Sequence, residues 1–162
     1  MRVVKWLGVI LLGVAIAIGV LVLVAPYRDG PTVFIPGGPL EAGELVTAHV
    51  TNWSFAESLD TIEMQLITDD NRSRTTWILV HKGAAFIPVT LGFPPNKRWH
   101  HLAVKDGRAI VRLGGKRYPV NLKKVTGTRL RFSLAHVSAA KYPPAPGADG
   151  GSWYFELIHR VP

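Results

Sequence analysis

The chain of 162 residues has no cysteine, and its 11 acidic residues are outnumbered by 19 Lys and Arg, leaving a formal charge of +8. Without cysteine there is no disulfide framework, no thiolate nucleophile, no Cys-ligated metal centre and no lipid-modified N-terminal cysteine. The few carboxylates are dispersed, so no paired-acid arrangement argues for a hydrolase. No Gly-x-Ser-x-Gly elbow supplies a serine nucleophile either. Repeats, heptads and low-complexity tracts are absent too. Most informative is an absence of charge: from Trp6 to Ala25 the chain reads WLGVILLGVAIAIGVLVLVA without one ionisable side chain.

A helix over that run rises about 30 Å at 1.5 Å per residue, the thickness of a bilayer hydrocarbon core. A surface helix of a soluble protein would carry polar residues every third or fourth position. The run is longer than a signal-peptide core, and LVLVAPY lacks a small-x-small cleavage pattern, with Leu23 where a small residue is needed. Residues 1–25 therefore read as an uncleaved N-terminal transmembrane anchor. Arg2 and Lys5 precede the span and Arg28 follows it, which predicts a cytoplasmic N-terminus and a periplasmic or extracellular C-terminal domain at the inner (plasma) membrane. Gly8, Gly13 and Ala17 are small residues that let a second helix approach closely in lipid.

Residues 26–43, PYRDGPTVFIPGGPLEAG, are rich in proline and glycine and read as an extended linker over the membrane. Beyond it, residues 44–162 show short strand patterns. Glu44–Thr51 is rich in β-branched residues, and Thr61–Thr68 alternates, with Ile62, Met64 and Leu66 on one face. Arg74–His81 and Ala84–Leu91 continue the series, and Ser152–Arg160 closes it. Asp106-Gly107 and Gly114-Gly115 are hairpin signals because glycine accepts positive φ without steric cost. Thr128–Val137 reads as a strand or a strand-to-helix junction. Short strands at roughly ten-residue spacing with little helix predict a mainly β outer domain, a small antiparallel barrel or sandwich.

The order IEMQLITDDNRSRTTWILVHKGAAFIPV, then KRWHHLAVKDGRAIVRLGGKRYPVNLKKVTG, resembles the split β-barrel superfamily of flavin- and deazaflavin-binding proteins. That group includes pyridoxamine-phosphate-oxidase-like proteins and the deazaflavin-dependent nitroreductases. The resemblance spans Glu44 to Thr126, and Asn52-Trp53-Ser54-Phe55 is similar to segments of membrane-anchored relatives without assigned activity. It implies a split barrel in which Arg74, Thr76, Lys97, Arg98 and Trp99 hold the phosphate and ring of FMN or a deazaflavin. The nitroreductase branch carries a glycine-containing Thr-x-Gly-Arg-x-Ser-Gly loop before the Arg-Thr strand. Here that loop is Thr68-Asp69-Asp70-Asn71-Arg72-Ser73-Arg74, with no glycine and with two carboxylates where an anion needs donors.

Between Lys97 and Arg131 lie eleven basic residues and one acid, Asp106. Arg108, Arg112, Lys116, Arg117, Lys123 and Lys124 then form a basic face suited to anionic lipid or an acidic protein surface. Nucleic acid is not the expected partner of a tethered outer domain. His100 and His101, read as strand neighbours, would point to opposite faces, and no third ligand completes a metal site. Two functions follow. One is a non-catalytic, membrane-anchored accessory or stabilising subunit without cofactor, docked on an integral membrane protein complex (a bioenergetic assembly, for example) through its helix and basic face. The alternative is a flavin- or deazaflavin-dependent quinone or nitro reductase tethered to the membrane.

Overall fold

The structure is a computed structural model and describes residues 2–32, 35–68, 71–144 and 151–161. Helix α1 (Arg2–Val24) runs into a 3-10 turn at Ala25–Tyr27. The strands are β1 (Glu44–Leu45), β2 (Thr61–Leu66), β3 (Ser73–Trp77), β4 (Leu79–His81), β5 (Ala84–Thr90), β6 (Arg108–Leu113), β7 (Lys116–Lys124) and β8 (Ser152–His159). Helix α2 (Trp99–Lys105) separates β5 from β6, and α3 (Thr128–Lys141) separates β7 from β8. As its composition requires, α1 is apolar and exposed, and it is long enough to cross a bilayer.

Strand order is β3-β2-β6-β7-β8-β5-β4, every pair antiparallel, with β1 adding a short parallel pairing to β7. The two ends of this order, β3 and β4, are consecutive halves of one segment broken at Ile78. The sheet therefore curls until its ends meet at a single residue, without a ladder joining them. This is a split barrel. Its interior holds Ile62, Met64 and Leu66, the alternating face expected of β2, with Val111, Val120, Leu122, Phe155 and Ile87 from the neighbouring strands. A second cluster lies outside the sheet, where α3 lays Leu134 on Leu79, Phe86 and Tyr154. Trp77 stacks on Tyr142 at 4.7 Å and 7° between planes.

Several expectations from sequence are corrected. Only Glu44–Leu45 of Glu44–Thr51 forms a strand. Trp99-His100-His101 begins a helix, and so does Thr128, whose segment runs helical through Lys141. Asp106-Gly107 joins α2 to β6 and makes no hairpin. Gly114 and Gly115, at φ +57 and +73, do turn β6 into β7.

The proline- and glycine-rich segment is irregular but is no free stalk, because it straps onto the outer face of β2, β6 and β7. Gly37 bridges Ser73, and the Leu40 amide donates to buried Gln65 Oε1 at 2.7 Å. Arg112 donates to Asp29 at 2.6 Å, to Glu63, and to the Ala42 carbonyl at 3.2 Å. Proline-fixed backbone cannot supply a ladder, so charged side chains of the sheet secure it instead.

At the break, Tyr142 Oη lies 2.5 Å from the Ile78 carbonyl oxygen, 2.8 Å from that of Asp60 and 3.2 Å from the Ile78 amide nitrogen. Burial pushes this phenol up to about 12, so it stays a neutral donor across the ordinary pH range. Tyr142→Phe keeps the ring stack but leaves buried backbone groups at the kink short of a partner. The expected loss is about 1–3 kcal/mol, read as a lower urea midpoint at unchanged slope.

Candidate functional site

Helix α2 is placed by the strands around it. It leaves β5 after Thr90 and enters β6 at Arg108, so it lies at the end of the barrel where β3 and β8 begin and β7 finishes. Trp99, His100 and Ala103 turn inward and are buried, while His101, Leu102, Val104 and Lys105 face out. The Trp99 ring packs 5.7 Å from Phe155. The loop before the helix is tied by Lys97, whose ammonium donates to the Thr90 carbonyl and, at 2.5 Å, to the Phe93 carbonyl. Burial lowers the Lys97 pKa.

Around Trp99 and His100 the barrel mouth gathers bases and aromatic rings. The His100 and His101 rings are 4.1 Å apart, and Trp153 meets them edge-on at 5.3 Å and 5.4 Å. Lys124 Nζ sits 3.1 Å from the Trp153 ring centroid, a close cation–π contact. The Arg74 guanidinium lies 5.9 Å from the Trp99 ring. The expectation that the two imidazoles diverge is thus corrected. On a helix, neighbours are separated by about 100° rather than 180°, so both rings reach one indole.

His100 is 3% exposed. Its pKa falls to about 4, first through burial and then through the nearby charges of His101, Lys97 and Lys124. It is neutral at pH 7, and its Nδ1 is buried with no hydrogen-bond partner. Such an atom is costly to retain and is uncommon in native interiors. Among the described residues no group of three metal-binding side chains occurs.

The residues singled out from sequence divide sharply. Arg74, Lys97 and Trp99 meet at this mouth, although Trp99 is core and the Lys97 ammonium is already engaged. Thr76 stands opposite Ile62 on β3 and is half-buried. Arg98 is exposed.

The basic stripe is mostly turned to internal use. Arg108 pairs with Asp106 at 2.7 Å and Lys116 with Glu44 at 3.1 Å. Arg112 holds the strap, and Arg117 donates to the carbonyls of Gly43 and Leu40. Lys123 is exposed, in register with Glu156. Lys124 belongs to the mouth. On α1, Gly8 and Gly13 meet nothing within 4 Å, and Ala17 is exposed. Asp69 and Asp70, the carboxylates of the shortened loop, lie outside the described residues.

Sequence reasoning missed Trp153 and the placement of Lys124. Their meeting depends on β7 pairing with β8 across α3, a link that no local pattern carries. Two open clefts, of ≈ 450 and ≈ 650 Å³, lie elsewhere, the larger lined by His81, Lys82 and Arg129.

No family model matches this sequence, and neither does any curated protein. Solved structures of similar outline include a candidate pyridoxamine 5'-phosphate oxidase, an FAD-binding protein and a NimC/NimA family protein. One is a candidate pyridoxamine 5'-phosphate oxidase from Listeria innocua, with TM-score 0.49 and 9% identity, covering 65% of this chain and 88% of that one. Another is an FAD-binding protein from Mesorhizobium loti, with TM-score 0.47 and 6% identity, covering 66% and 86%. A third, the FAD and heme binding protein from Mycobacterium smegmatis, has TM-score 0.44 and 10% identity, covering 63% and 62%. At these values the likeness is one of outline and assigns no residue.

The neutral buried His100 has a consequence for acid stability. Its folded pKa lies below the unfolded value of 6.5, so the unfolded chain takes up the proton first as pH falls. Stability is fully present above pH 6.5 and is lost progressively toward pH 4. His100→Gln should flatten that part of the profile, read as urea midpoints of variant and parent at several pH values.

Proposed function

We propose that this chain is a membrane-anchored split-barrel protein that binds an anionic, ring-bearing ligand of the flavin or deazaflavin class at the α2 mouth. The observation that carries the reading is the unpartnered His100 Nδ1 beside the cluster of Trp153, Lys124 and His101. The chemistry of these groups fits such a ligand. The indole offers a stacking face, the cations attract a phosphate or carboxylate, and a neutral imidazole hydrogen-bonds a ring atom without demanding an ion pair. The ligand would supply the redox chemistry, making the protein an oxidoreductase. This chain's residues would bind and orient it, while α1 keeps it beside lipid-soluble substrate.

A second reading, the accessory subunit, draws support from one observation. Nearly all of the apolar surface of α1 from Val4 to Val24, including Gly8, Gly13 and Ala17, is left uncovered, and a neighbouring helix of a membrane complex would cover it as well as lipid does.

Titrating detergent-solubilised protein with FMN or a deazaflavin, followed by quenching of ligand fluorescence, tests the proposal. The parent should bind one of the two, and Lys124→Ala and His100→Phe should each weaken binding tenfold or more. Binding of neither ligand, or equal binding by parent and variants, would sink it. Stoichiometric co-purification of a colourless chain with a membrane complex would favour the accessory reading instead.

A further inference from the structure

The anchor and the candidate site share one end of the barrel, and this has a consequence for the surface of α2. The Gly38 amide donates to the Arg28 carbonyl at 2.8 Å, and Ser73 Oγ donates to the Gly38 carbonyl at 2.5 Å. A side chain at Gly38 would meet the Pro26 carbonyl oxygen at 2.3 Å, and Ala25 is 1% exposed. The foot of α1 is therefore seated beside Ser73, the residue that opens β3. Beyond that foot α1 is exposed along its length, so it projects away from the domain rather than lying along it.

Helix α2 lies at this same end, and its outer face is unusual for a solvent-facing helix. Leu102 is 40% exposed, Val104 52% and the preceding Phe93 47%. At about 100° per residue Leu102 and Val104 flank the buried side of the helix, and exposed His101 and Lys105 lie between them on its outermost line, with exposed Arg98 at the helix start. The nearby acid, Asp106, is neutralised by Arg108. A basic outer line flanked by exposed apolar side chains suits the boundary of a bilayer, where the cations meet anionic headgroups and the hydrophobic residues reach the edge of the acyl region. Helix α3, which lays its buried face on the outside of β4, β5 and β8, also exposes Phe132, at 66%, beside Arg129 and Arg131, so position 132 is the control for a similar surface on another element.

We infer that the outer face of α2, with Arg98 and Lys105 flanked by Leu102 and Val104 and preceded by Phe93, docks onto an anionic bilayer surface at the foot of α1. The inference rests on the membrane-anchor reading of α1. The barrel then stands mouth-down, and the platform of Trp153 and Lys124 lies at the lipid boundary.

The cysteine-free chain lends itself to site-directed labelling. Leu102→Cys, Val104→Cys, Phe132→Cys on α3 and Ile18→Cys within α1 would each carry one nitroxide. The full-length proteins would be reconstituted in vesicles of equal parts phosphatidylcholine and phosphatidylglycerol. The readout is the ratio of relaxation by oxygen, which partitions into lipid, to relaxation by an aqueous nickel chelate. Labels at 102 and 104 should show a ratio severalfold above that at 132, dropping toward it in vesicles of phosphatidylcholine alone. A lipid-exposed label at 18 with 102 and 104 as aqueous as 132 overturns the docking and leaves the anchor standing. A lipid-like ratio at 132 as well overturns it too, since the contact would not be specific to α2. An aqueous label at 18 removes the anchor, and the docking with it.

Discussion

One bend holds this domain together. Between Trp77 and Leu79 a single strand changes partners, from β2 on one side to β5 on the other, with Ile78 at the corner. Both edges of the curled sheet belong to this one segment, so they are tied together at Ile78 although no ladder joins them. The freed groups of Ile78 find the Tyr142 hydroxyl and the Asp60 carbonyl. Tyr142 in turn belongs to the stretch just past α3, so the helix that covers one flank also supports the corner. Lys141, at the end of that helix, donates to the carbonyls of Glu57, Leu59 and Ile78. The interior of Met64, Ile87, Val111 and Phe155 is the apolar volume that this closure encloses.

The curl decides what happens at the mouth. It brings the end of β7 and the start of β8 against α2, so that Lys124, Trp153, His100 and Trp99 meet from three separate elements. Like charges in such a group repel, and the structure accommodates them in different ways. Lys97 is tied to two carbonyls and Lys124 rests on an indole. His100, the most buried of them, sheds its proton. A neutral imidazole with an idle nitrogen among cations is poised to accept or donate one hydrogen bond to something placed there.

How much of this was legible in the chain depends on the range of the signal. The anchor was plain in the unbroken apolar run from Trp6 to Ala25. The alternation of Ile62, Met64 and Leu66 announced β2, and Gly114-Gly115 announced the β6–β7 hairpin. Such local cues predicted a small antiparallel barrel or sandwich, and the split barrel came only as what the resemblance implied.

What escaped was set by tertiary context. Trp99–Lys105 is helical although its neighbours are strands, because burying Trp99, His100 and Ala103 on one side of a short helix plugs the barrel end. The basic stripe suggested an outward docking face, yet Arg112 and Arg117 turn to the carbonyls and carboxylates of a strap that looked like free linker. Charge can be counted along a sequence, but which partner neutralises it is a matter of folding.

The most direct measurement is the nitrogen-15 spectrum of the histidine rings in the full-length protein at pH 7, recorded while FMN or a deazaflavin is added. The account predicts a neutral His100 whose Nδ1 resonance moves on ligand addition, with the more distant His159 ring unchanged. A His100 ring that is protonated at that pH, or an Nδ1 resonance indifferent to both ligands, would contradict it.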